Sequence, residues 1–271
     1  MPRAYTEEFL KEVYDYMQET QLGVSAVARY FNVDRGTLAK RLKEHYDNVI
    51  SRPDGKLPVN SNYFETIDTE HKAYWLGFLT ADGYVSESKI ELCLAEIDRN
   101  HVEQFKSDIE SQHKVGLKQT KLNGKTFKSY RIHIKDKKLG DDLNKLGLTS
   151  NKSYDAHIPF SMIPNNLLKH YVRGLMDGDG CVYHRNDSGL LGVIICTTAS
   201  ESMVNDITTL IKQELNIDVK YINDSHNIVD VCLYKQEDIK TFYNWIYDNS
   251  SIYLQRKYDK FAVLRTSHKD S

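Results

Sequence analysis

Apolar positions in the first fifty residues recur at helical spacing. Phe9, Val13 and Met17 fall on one face of a helix, a second helix can begin after Gly23, and a third can follow a turn that ends at Asp34. This pattern predicts a small domain of three helices over residues 1–50. Residues 51–61 contain two prolines and a glycine, so they are predicted to form a linker.

From about residue 62 onwards the same order of elements occurs twice. Each half is predicted to begin with an apolar helix, to continue through a strand pair, a polar helix and a second strand pair, and to end in a helix. Asn123-Gly124 is a hairpin turn signal in the first half. The predicted elements of the first half are a hairpin over 84–94, a helix over 98–111, strands over 113–121 and 125–134, and a helix over 137–146. Those of the second half are strands over 181–184 and 190–197, a helix over 200–215, strands over 219–222 and 228–234, and a helix over 237–248.

The two apolar helices end in similar sequences about a hundred residues apart. The first runs from Trp75 to Gly83 (WLGFLTADG) and the second from Val172 to Gly180 (VRGLMDGDG). One apolar run that ends in Asp-Gly is a common junction between a helix and a turn. Two such runs followed by matching elements indicate an internal duplication.

Each of these helices carries two small residues four positions apart. Gly77 with Ala81, and Gly174 with Gly178, lie on one face of their helices. Small residues at this spacing let two helix backbones approach closely. The spacing therefore predicts that the helices pack on each other and bring the carboxylates of Asp82 and Asp179 to a shared point, where they can hold a divalent cation.

Both sequences resemble the motif of the LAGLIDADG homing endonucleases. The residues that carry the resemblance are Leu76-Gly77, Ala81-Asp82-Gly83, Gly174 and Asp177-Gly178-Asp179-Gly180. The resemblance implies an α+β fold, in which two pseudo-symmetric LAGLIDADG repeats, each with the order αββαββα, form a saddle of two four-stranded antiparallel sheets. The first repeat would span residues 62–165 and the second 166–271, after a small all-α domain.

The resemblance also implies the chemistry of the site. Members of the family cut both strands of duplex DNA at a long site, which starts homing of the encoding intron or gene. Asp82 and Asp179 would be catalytic and would hold Mg²⁺, with Mn²⁺ as a substitute, assisted by the backbone carbonyls of Ala81 and Gly178. Hard oxygen ligands suit Mg²⁺, and the C-terminal end of a helix attracts cations.

A lysine follows at a similar place in each repeat. Lys152 lies 70 residues after Asp82, and Lys257 lies 78 residues after Asp179. In the family a lysine near this point polarises the attacking water or stabilises charge on the phosphate, so both are candidate catalytic residues. Asp177, which occupies the place of Thr80 in the first copy, is interpreted as a surface or capping residue outside the catalytic set.

Charge is distributed unevenly over the two repeats. From Ser111 to Ser153 there are eleven Lys or Arg against three Asp, whereas from Cys181 to Lys235 there are four against seven acidic residues. The first repeat is therefore expected to provide most of the attraction to phosphates. Alternation along its third and fourth strands separates a core face (Val115, Leu117, Tyr130, Ile132, Ile134) from a DNA-binding face (Lys114, Lys118, Lys125, Ser129, Arg131, His133). The candidates for DNA contact in the second repeat are His184, Arg185, Lys220 and Tyr221.

The run from Ser25 to Leu42 resembles a helix-turn-helix, whose last helix enters the major groove of DNA. The resemblance implies a core of Ala26, Val27, Phe31, Val33 and Leu38, and a DNA-facing set of Arg35, Thr37, Lys40 and Arg41. Seven Lys or Arg stand against eight acidic residues up to Ile50, so protein binding is an alternative role for this domain.

Composition is that of a globular protein. The chain has 271 residues, of which 40% are hydrophobic and 27% charged, and its net charge is −2. No apolar run approaches the about 18 residues that cross a bilayer, and the N-terminus lacks the apolar core of a signal peptide. We expect no membrane partner and a cytoplasmic location, or whichever compartment holds the host DNA. The four cysteines lack Cys-x-x-Cys spacing and are expected to be buried free thiols.

Two alternatives to an active endonuclease stay open. The first is a LAGLIDADG-like DNA-binding protein that no longer cuts and acts as a transcription regulator or intron maturase, because a fold does not fix its function. The presence of both Asp82 and Asp179 argues against it. The second is an enzyme inside an intein, but the ends of the chain lack the residues of protein splicing, so a free-standing or intron-encoded enzyme is expected. With both motifs in one chain, a monomer that binds double-stranded DNA should suffice.

Overall fold

The computed structural model describes residues 5–20, 23–46, 57–149, 152–223 and 228–261. The chain divides into two compact units, Met1–Leu57 and Pro58–Ser271. No helix in the described ranges is long and apolar enough to cross a membrane.

The described residues of the N-terminal unit form three helices, α1 (Glu7–Thr20), α2 (Val24–Tyr30) and α3 (Arg35–His45). Asp34 caps α3, because its carboxylate accepts a hydrogen bond of 2.8 Å from the backbone N–H of Thr37. Ala26 was predicted to be a core residue, but it is only partly buried. Ala28 lies in the core instead, since two residues along a helix turn the side chain to another face. The core consists of Phe9, Leu10, Val13, Met17, Val24, Val27, Ala28, Leu38 and Leu42.

The second unit repeats one order of elements. Its first half contains α4 (Glu70–Asp82), β1 (Gly83–Ser86), β2 (Lys89–Ala95), α5 (Arg99–Asp108), β3 (Gly116–Leu122), β4 (Lys125–Lys135), α6 (Lys137–Lys145) and α7 (Lys152–Asp155). Its second half contains α8 (Leu168–Asp179), β5 (Cys181–His184), β6 (Leu191–Thr198), α9 (Glu201–Leu215), β7 (Lys220–Asn223), β8 (Val229–Leu233), α10 (Gln236–Tyr247) and α11 (Gln255–Lys260). The predicted α+β class is confirmed. Two short helices, α7 and α11, were not predicted as separate elements.

Each half contains one four-stranded antiparallel sheet, and the two sheets have the same strand order. The order is β1-β2-β4-β3 in the first sheet and β5-β6-β8-β7 in the second. Along each strand, alternate side chains point to a face that is buried under the helices, and the others point to the opposite face, termed the outer face below. The inward residues of the central strands include Ile90, Leu92, Ile132, Ile134, Val193, Val231 and Leu233, all at most 2% exposed.

Helices α4 and α8 lie between the two halves, and their backbones pack in direct contact at the glycine positions. A Cβ atom added to Gly77 would lie 2.0 Å from the carbonyl oxygen of Tyr171, and one added to Gly174 would lie 2.0 Å from that of Tyr74. A Cβ atom on Gly178 would lie 2.2 Å from the Cβ of Ala81. The prediction of a close-packed helix pair is confirmed. Because contacts advance in the same direction along both helices, the pair is parallel and both C-termini lie at one end.

The hairpin of β3 and β4 extends past the core. All residues of β3 and the first four of β4 are exposed. Leu117 was predicted to pack in the core, yet its side chain is 50% exposed. It lies on the predicted face, but the helices do not cover this part of the sheet, so the core face ends near Tyr130.

Candidate active site and nucleic-acid interface

The parallel helix pair ends in two carboxylates. Asp82 is the last residue of α4 and Asp179 is the last residue of α8, and both side chains are exposed although the preceding turns are buried. The residues just before them, Ala81 and Gly178, are in contact across the helix pair. Both carboxylates also interact with the ammonium group of Lys257, because each of them raises the pKa of that group. Asp82 and Asp179 therefore share one end of the helix pair.

Lys257 belongs to α11 and is 4% exposed. Its ammonium group donates hydrogen bonds to the carbonyl oxygens of Met176 (2.9 Å) and Gly178 (2.8 Å), at the C-terminal end of α8. Burial lowers the pKa of Lys257 to about 8, against the opposing effect of nearby carboxylates. Lys257 thus lies beside the carboxylate pair, and its ammonium group contacts a carbonyl that the family resemblance assigns to a metal ion. Its catalytic role stays a prediction.

The matching lysine of the first repeat is Lys152. It begins α7, but its side chain lies outside the described part of the structure, so its position near Asp82 stays a prediction.

Asp177 is not a surface residue. Its side chain is fully buried and accepts hydrogen bonds from the hydroxyl group of Tyr74 (2.8 Å) and from the backbone N–H of Leu254 (2.7 Å). Burial raises the pKa of Asp177 to about 6. Leu254 is the N-cap residue of α11, so Asp177 fixes the start of the helix that carries Lys257. The prediction of a surface position was wrong, because α8 is covered on all sides at Asp177.

A buried histidine continues this network. The single hydroxyl proton of Tyr74 is donated to Asp177, so the ring Nε2 of His101 donates to the Tyr74 oxygen over 2.8 Å. Burial lowers the pKa of His101 to about 4, which keeps its ring neutral at pH 7.

Arg173 joins the two repeats from within the core. Its guanidinium group donates to the carbonyl oxygens of Ile246 (2.6 Å) and Ile252 (2.8 Å) and to the carboxylate of Glu70 (2.5 Å). Glu70 opens α4, so this contact ties the two helices at the end opposite the exposed carboxylates. Sequence reasoning missed Arg173 and assigned Asp177 to the wrong environment. Their signal was an arginine and an aspartate four residues apart among the apolar residues of α8.

The donor set at the end of the helix pair suits a hard divalent cation. Across the described ranges, no group of three or more His, Cys, Asp or Glu side chains is arranged to hold a metal ion. A cation at Asp82 and Asp179 would therefore depend on these two carboxylates, on a backbone carbonyl such as that of Ala81, and on oxygens of water and DNA phosphate. Mg²⁺ binds in this way, with one or two carboxylates and the phosphates of its substrate.

The predicted basic face of the first sheet is solvent-exposed in the structure. Strand pairing places Lys118 opposite Ser129, Gly116 opposite Arg131, and Leu122 opposite Lys125, so these residues share the outer face with His133. Lys114 precedes β3 and is exposed. Burial lowers the pKa of the half-buried His133, which favours its neutral form. DNA contact by this face stays a prediction.

The candidates of the second sheet do not share one face. Lys220 pairs with Cys232 on the outer face. Tyr221 points to the helix side, where its hydroxyl group is 2.7 Å from that of Thr208 in α9, so its inclusion was wrong. Arg185 follows β5, pairs with Asp187 and lies over the ring of Tyr234.

The candidate DNA-facing residues of α3, Arg35, Thr37, Lys40 and Arg41, all have exposed side chains. The hydroxyl group of Thr37 donates to the capping carboxylate of Asp34 (2.8 Å), and Arg41 pairs with Glu44 (3.2 Å). The helix-turn-helix assignment stays a prediction.

All four cysteines are free thiols, but only Cys196 and Cys232 are buried. Cys93 and Cys181 were predicted to be buried and are only half-buried. Strand pairing places both on the outer faces of the sheets, where Cys232 is nevertheless buried.

Comparison with known proteins found one family model and several solved structures that resemble this chain. Residues 166–247 match the family model of a LAGLIDADG-like domain. The homing endonuclease I-WcaI bound to its DNA recognition sequence superimposes with a TM-score of 0.56 at 12% identity, over 73% of this chain and 90% of that chain. The N-terminal LAGLIDADG domain of DUF199/WhiA gives a TM-score of 0.46 at 14% identity, over 71% of this chain and 90% of that chain.

A replication factor C small subunit from Methanocaldococcus jannaschii is 24% identical over 140 residues. The match spans 51% of this chain but only 7% of that protein. The chain therefore contains a LAGLIDADG-like domain in its second half, and the unit that begins at Pro58 has the fold of the LAGLIDADG homing endonucleases. The resemblance found in the sequence is confirmed.

Proposed function

We propose that the chain is a site-specific endonuclease that hydrolyses both strands of duplex DNA with a divalent cation held by Asp82 and Asp179. The observation that carries the proposal is the parallel packing of α4 and α8, which ends both helices in an exposed carboxylate at the same end. Two like charges at the negative ends of two helix dipoles repel each other. A bound cation removes this repulsion. In a helix pair with a purely structural role, placing two carboxylates at the same end would only cost free energy.

The residues of the site have distinct roles in this proposal. Asp82 and Asp179 hold the cation, with the carbonyl of Ala81 as a further ligand. A bound Mg²⁺ supplies activation of the attacking water and stabilisation of charge on the phosphate. Lys257 places a positive charge beside Asp179, and Asp177 fixes the helix that carries it. Lys152 takes the corresponding part in the first repeat.

DNA lies across the outer faces of the two sheets in this proposal. The exposed cations of the first sheet support it, since Lys and Arg provide the attraction to phosphates. Because one chain contains both carboxylates, it acts as a monomer. The product is a double-strand break, which starts homing of the encoding intron or gene.

The N-terminal unit adds DNA contacts through α3 in this proposal. Lys40 is exposed on α3 and Lys11 is exposed on α1. We expect Lys40→Ala to lower the slope of log affinity against log salt by about one, as the loss of one phosphate contact does, and Lys11→Ala to leave it unchanged. Equal slopes for both variants would count against a role of α3 in DNA binding.

The decisive experiment is cleavage of a randomised double-stranded DNA library with Mg²⁺ by the intact protein, Asp82→Asn and Asp179→Asn. We expect sequence-specific double-strand breaks from the intact protein, and loss of cutting with retained binding in each variant. Absence of sequence-specific binding would reject the proposal.

A DNA-binding protein that does not cut, such as a transcription regulator or maturase, is the second candidate. The ammonium group of Lys257 on the Gly178 carbonyl favours it, because this fixed charge competes with a divalent cation next to Asp179. Titration with Mn²⁺ under electron paramagnetic resonance separates the candidates. An endonuclease binds Mn²⁺ in a way that Asp82→Asn or Asp179→Asn weakens, whereas specific DNA binding without Mn²⁺ binding supports the regulator.

A further inference from the structure

The last helix of each half carries the candidate lysine of that half. These helices are α7, which begins at Lys152, and α11, which contains Lys257. They have only four and six residues, and helices of this length are not stable on their own. Their positions therefore depend on side chains that anchor them or the chain beside them.

An anchor of α11 comes from the first half of the unit. Asp98 is the N-cap residue of α5, but its side chain makes no capping hydrogen bond. Both of its carboxylate oxygens instead accept hydrogen bonds from Nε of Arg256 in α11, over 3.0 and 2.9 Å. The side chain of Asp98 is only 6% exposed, and a charge buried to this extent depends strongly on its partner. The first half thus holds the residue directly before Lys257.

An anchor beside α7 comes from the second half. Asp206 of α9 accepts a hydrogen bond of 2.8 Å from the backbone N–H of Ile158. The hydroxyl group of Ser200, the N-cap residue of α9, donates to the carbonyl oxygen of Ala156 over 2.5 Å. Ala156 and Ile158 follow α7 closely, and both are buried. The second half thus holds the chain that continues from the helix of Lys152.

The two anchors come from equivalent elements. Helix α5 follows the strand pair of β1 and β2, and helix α9 follows the strand pair of β5 and β6. Asp98 lies at the start of α5, and Asp206 lies in the second turn of α9. The anchoring is therefore exchanged between the halves, because α5 holds the last helix of the second half and α9 holds the chain after the last helix of the first.

We infer that Asp98 and Asp206 are positioning residues, each of which holds the lysine of the opposite half in place for cleavage of one DNA strand. Asp98 acts on Lys257 through Arg256. Asp206 acts on Lys152 through the chain that follows α7. The inference rests on the proposed function, because it concerns how the same site cuts its two strands.

Loss of an anchor should slow one strand more than the other. Lys257 contacts the carbonyl oxygen of Gly178, so a small shift of α11 moves its ammonium group relative to Asp179. A misplacement of about 1 Å in a catalytic site can cost on the order of 100-fold in rate. Without Asp98 we expect one strand to be cut about 10- to 100-fold more slowly, and without Asp206 we expect the same of the other strand.

The test measures the cutting of each strand separately. A duplex that binds the intact chain is selected from a randomised library in EDTA, and its two strands are labelled with different dyes. Excess protein and Mg²⁺ are then added, and both nicking rates are measured for the intact chain, Asp98→Ala and Asp206→Ala. Lys257→Met identifies the strand that depends on Lys257. Asp98→Ala should slow this strand and Asp206→Ala the opposite one, while the affinity measured in EDTA stays unchanged.

Exposed neighbours of the anchoring residues provide matched controls. Gln255 precedes Arg256 in α11, and Asn205 precedes Asp206 in α9. Gln255→Ala and Asn205→Ala should leave both nicking rates unchanged, because neither side chain is one of the anchors.

A double variant tests whether Asp98 acts through Arg256. Replacing both partners of a buried pair leaves no charge without a partner, so Asp98→Ala combined with Arg256→Met should fold even if a single variant does not. Because both substitutions remove one contact, the double variant should slow the same strand no more than the slower single variant. Urea denaturation confirms that each variant is folded. Multiplied effects in the double variant would show that the two residues act separately, which contradicts the inference.

Three results would overturn the inference and leave the endonuclease proposal intact. The first is equal slowing of both strands by Asp98→Ala or by Lys257→Met, as a general loss of structure would give. The second is slowing of the same strand by Asp98→Ala and Asp206→Ala, and the third is unchanged rates in either variant. If the intact chain binds a specific duplex and cuts neither strand, the proposed function fails and the inference fails with it.

Discussion

Lys257 donates a hydrogen bond of 2.8 Å from its ammonium group to the carbonyl oxygen of Gly178. This contact ties α11 to the last turn of α8, directly before Asp179. These hydrogen bonds satisfy carbonyl groups at the end of a buried helix, which is a contribution to the fold and not to DNA binding. Lys257 is therefore a structural contact of the site, whatever part it takes in the reaction.

Replacement of Lys257 by Met tests both roles. Two carbonyl groups at the end of α8 lose their donor, so we expect a loss of about 2 kcal/mol in the free energy of unfolding and a loss of cleavage. Lys260→Met, on the exposed side of the same helix, should change neither quantity. Urea denaturation and a cleavage assay measure the two effects. Full stability with lost cleavage would contradict the structural role and show that the ammonium group acts in the reaction alone.

The helix pair should tolerate no side chain at Gly174. A Cβ there would lie 2.0 Å from the carbonyl oxygen of Tyr74, so Gly174→Ala must push two buried backbones apart. We expect a loss of about 3 kcal/mol or more in the free energy of unfolding. At Gly116 the nearest atom to an added Cβ is 4.0 Å away, so Gly116→Ala is the control and should be near neutral. Urea denaturation of both variants decides the matter, and equal stabilities would contradict the packing described for α4 and α8.

Arg173 should be essential for stability. In Arg173→Met the carbonyl groups of Ile246 and Ile252 lose their side-chain donor, and the carboxylate of Glu70 loses its cationic partner and keeps only the hydrogen bonds from Ser251. We expect a loss of about 3 to 5 kcal/mol in the free energy of unfolding. Lys137, which pairs with Asp141 on the surface, provides the control, and Lys137→Met should leave the melting temperature unchanged. Calorimetry distinguishes the two outcomes. Similar melting temperatures for both variants would mean that water replaces the lost donors.

His101 should make stability depend on pH. Its pKa is about 4 in the folded protein, below the value of about 6.5 for an exposed histidine. The depressed pKa has no effect on stability above a pH of about 6.5 and lowers stability progressively as pH falls toward 4, by on the order of 3 kcal/mol in all. In His101→Gln this dependence should be absent, so the stability of the intact protein relative to the variant should fall over this range. Parallel curves from urea denaturation at several pH values would show that His101 is not buried as a neutral ring.

Local pattern was enough to predict most of the fold. Strand β5 lies where alternation placed it, and helices α6, α9 and α10 begin and end within a few residues of the predicted bounds. The spacing of Gly77 and Ala81 predicted a contact between helices about a hundred residues apart in the chain. These features follow from periods of about two and four residues, which a sequence shows directly.

Contacts between distant segments were not predictable in the same way. Asp177 was misinterpreted because its partners, Tyr74 and Leu254, come from other elements, and no local pattern shows that α11 covers α8 there. Tyr221 was assigned to the wrong face because the register of β7 cannot be read without β8. Polar residues inside an apolar helix are therefore best treated as members of a buried network until partners are known.

The bulge between Ile194 and Cys196, where two residues of β6 advance against one of β8, changes the phase of alternation. Even-numbered positions of β6 face outward before it, and Thr197, an odd-numbered position, faces outward after it. The pairing of β2 with β4 runs from Lys89 to Ala95 without such a shift. Outer-face residues of the first repeat that are grafted onto β6 must therefore be moved by one position beyond Ile194. Without this offset the new side chains would point into the core.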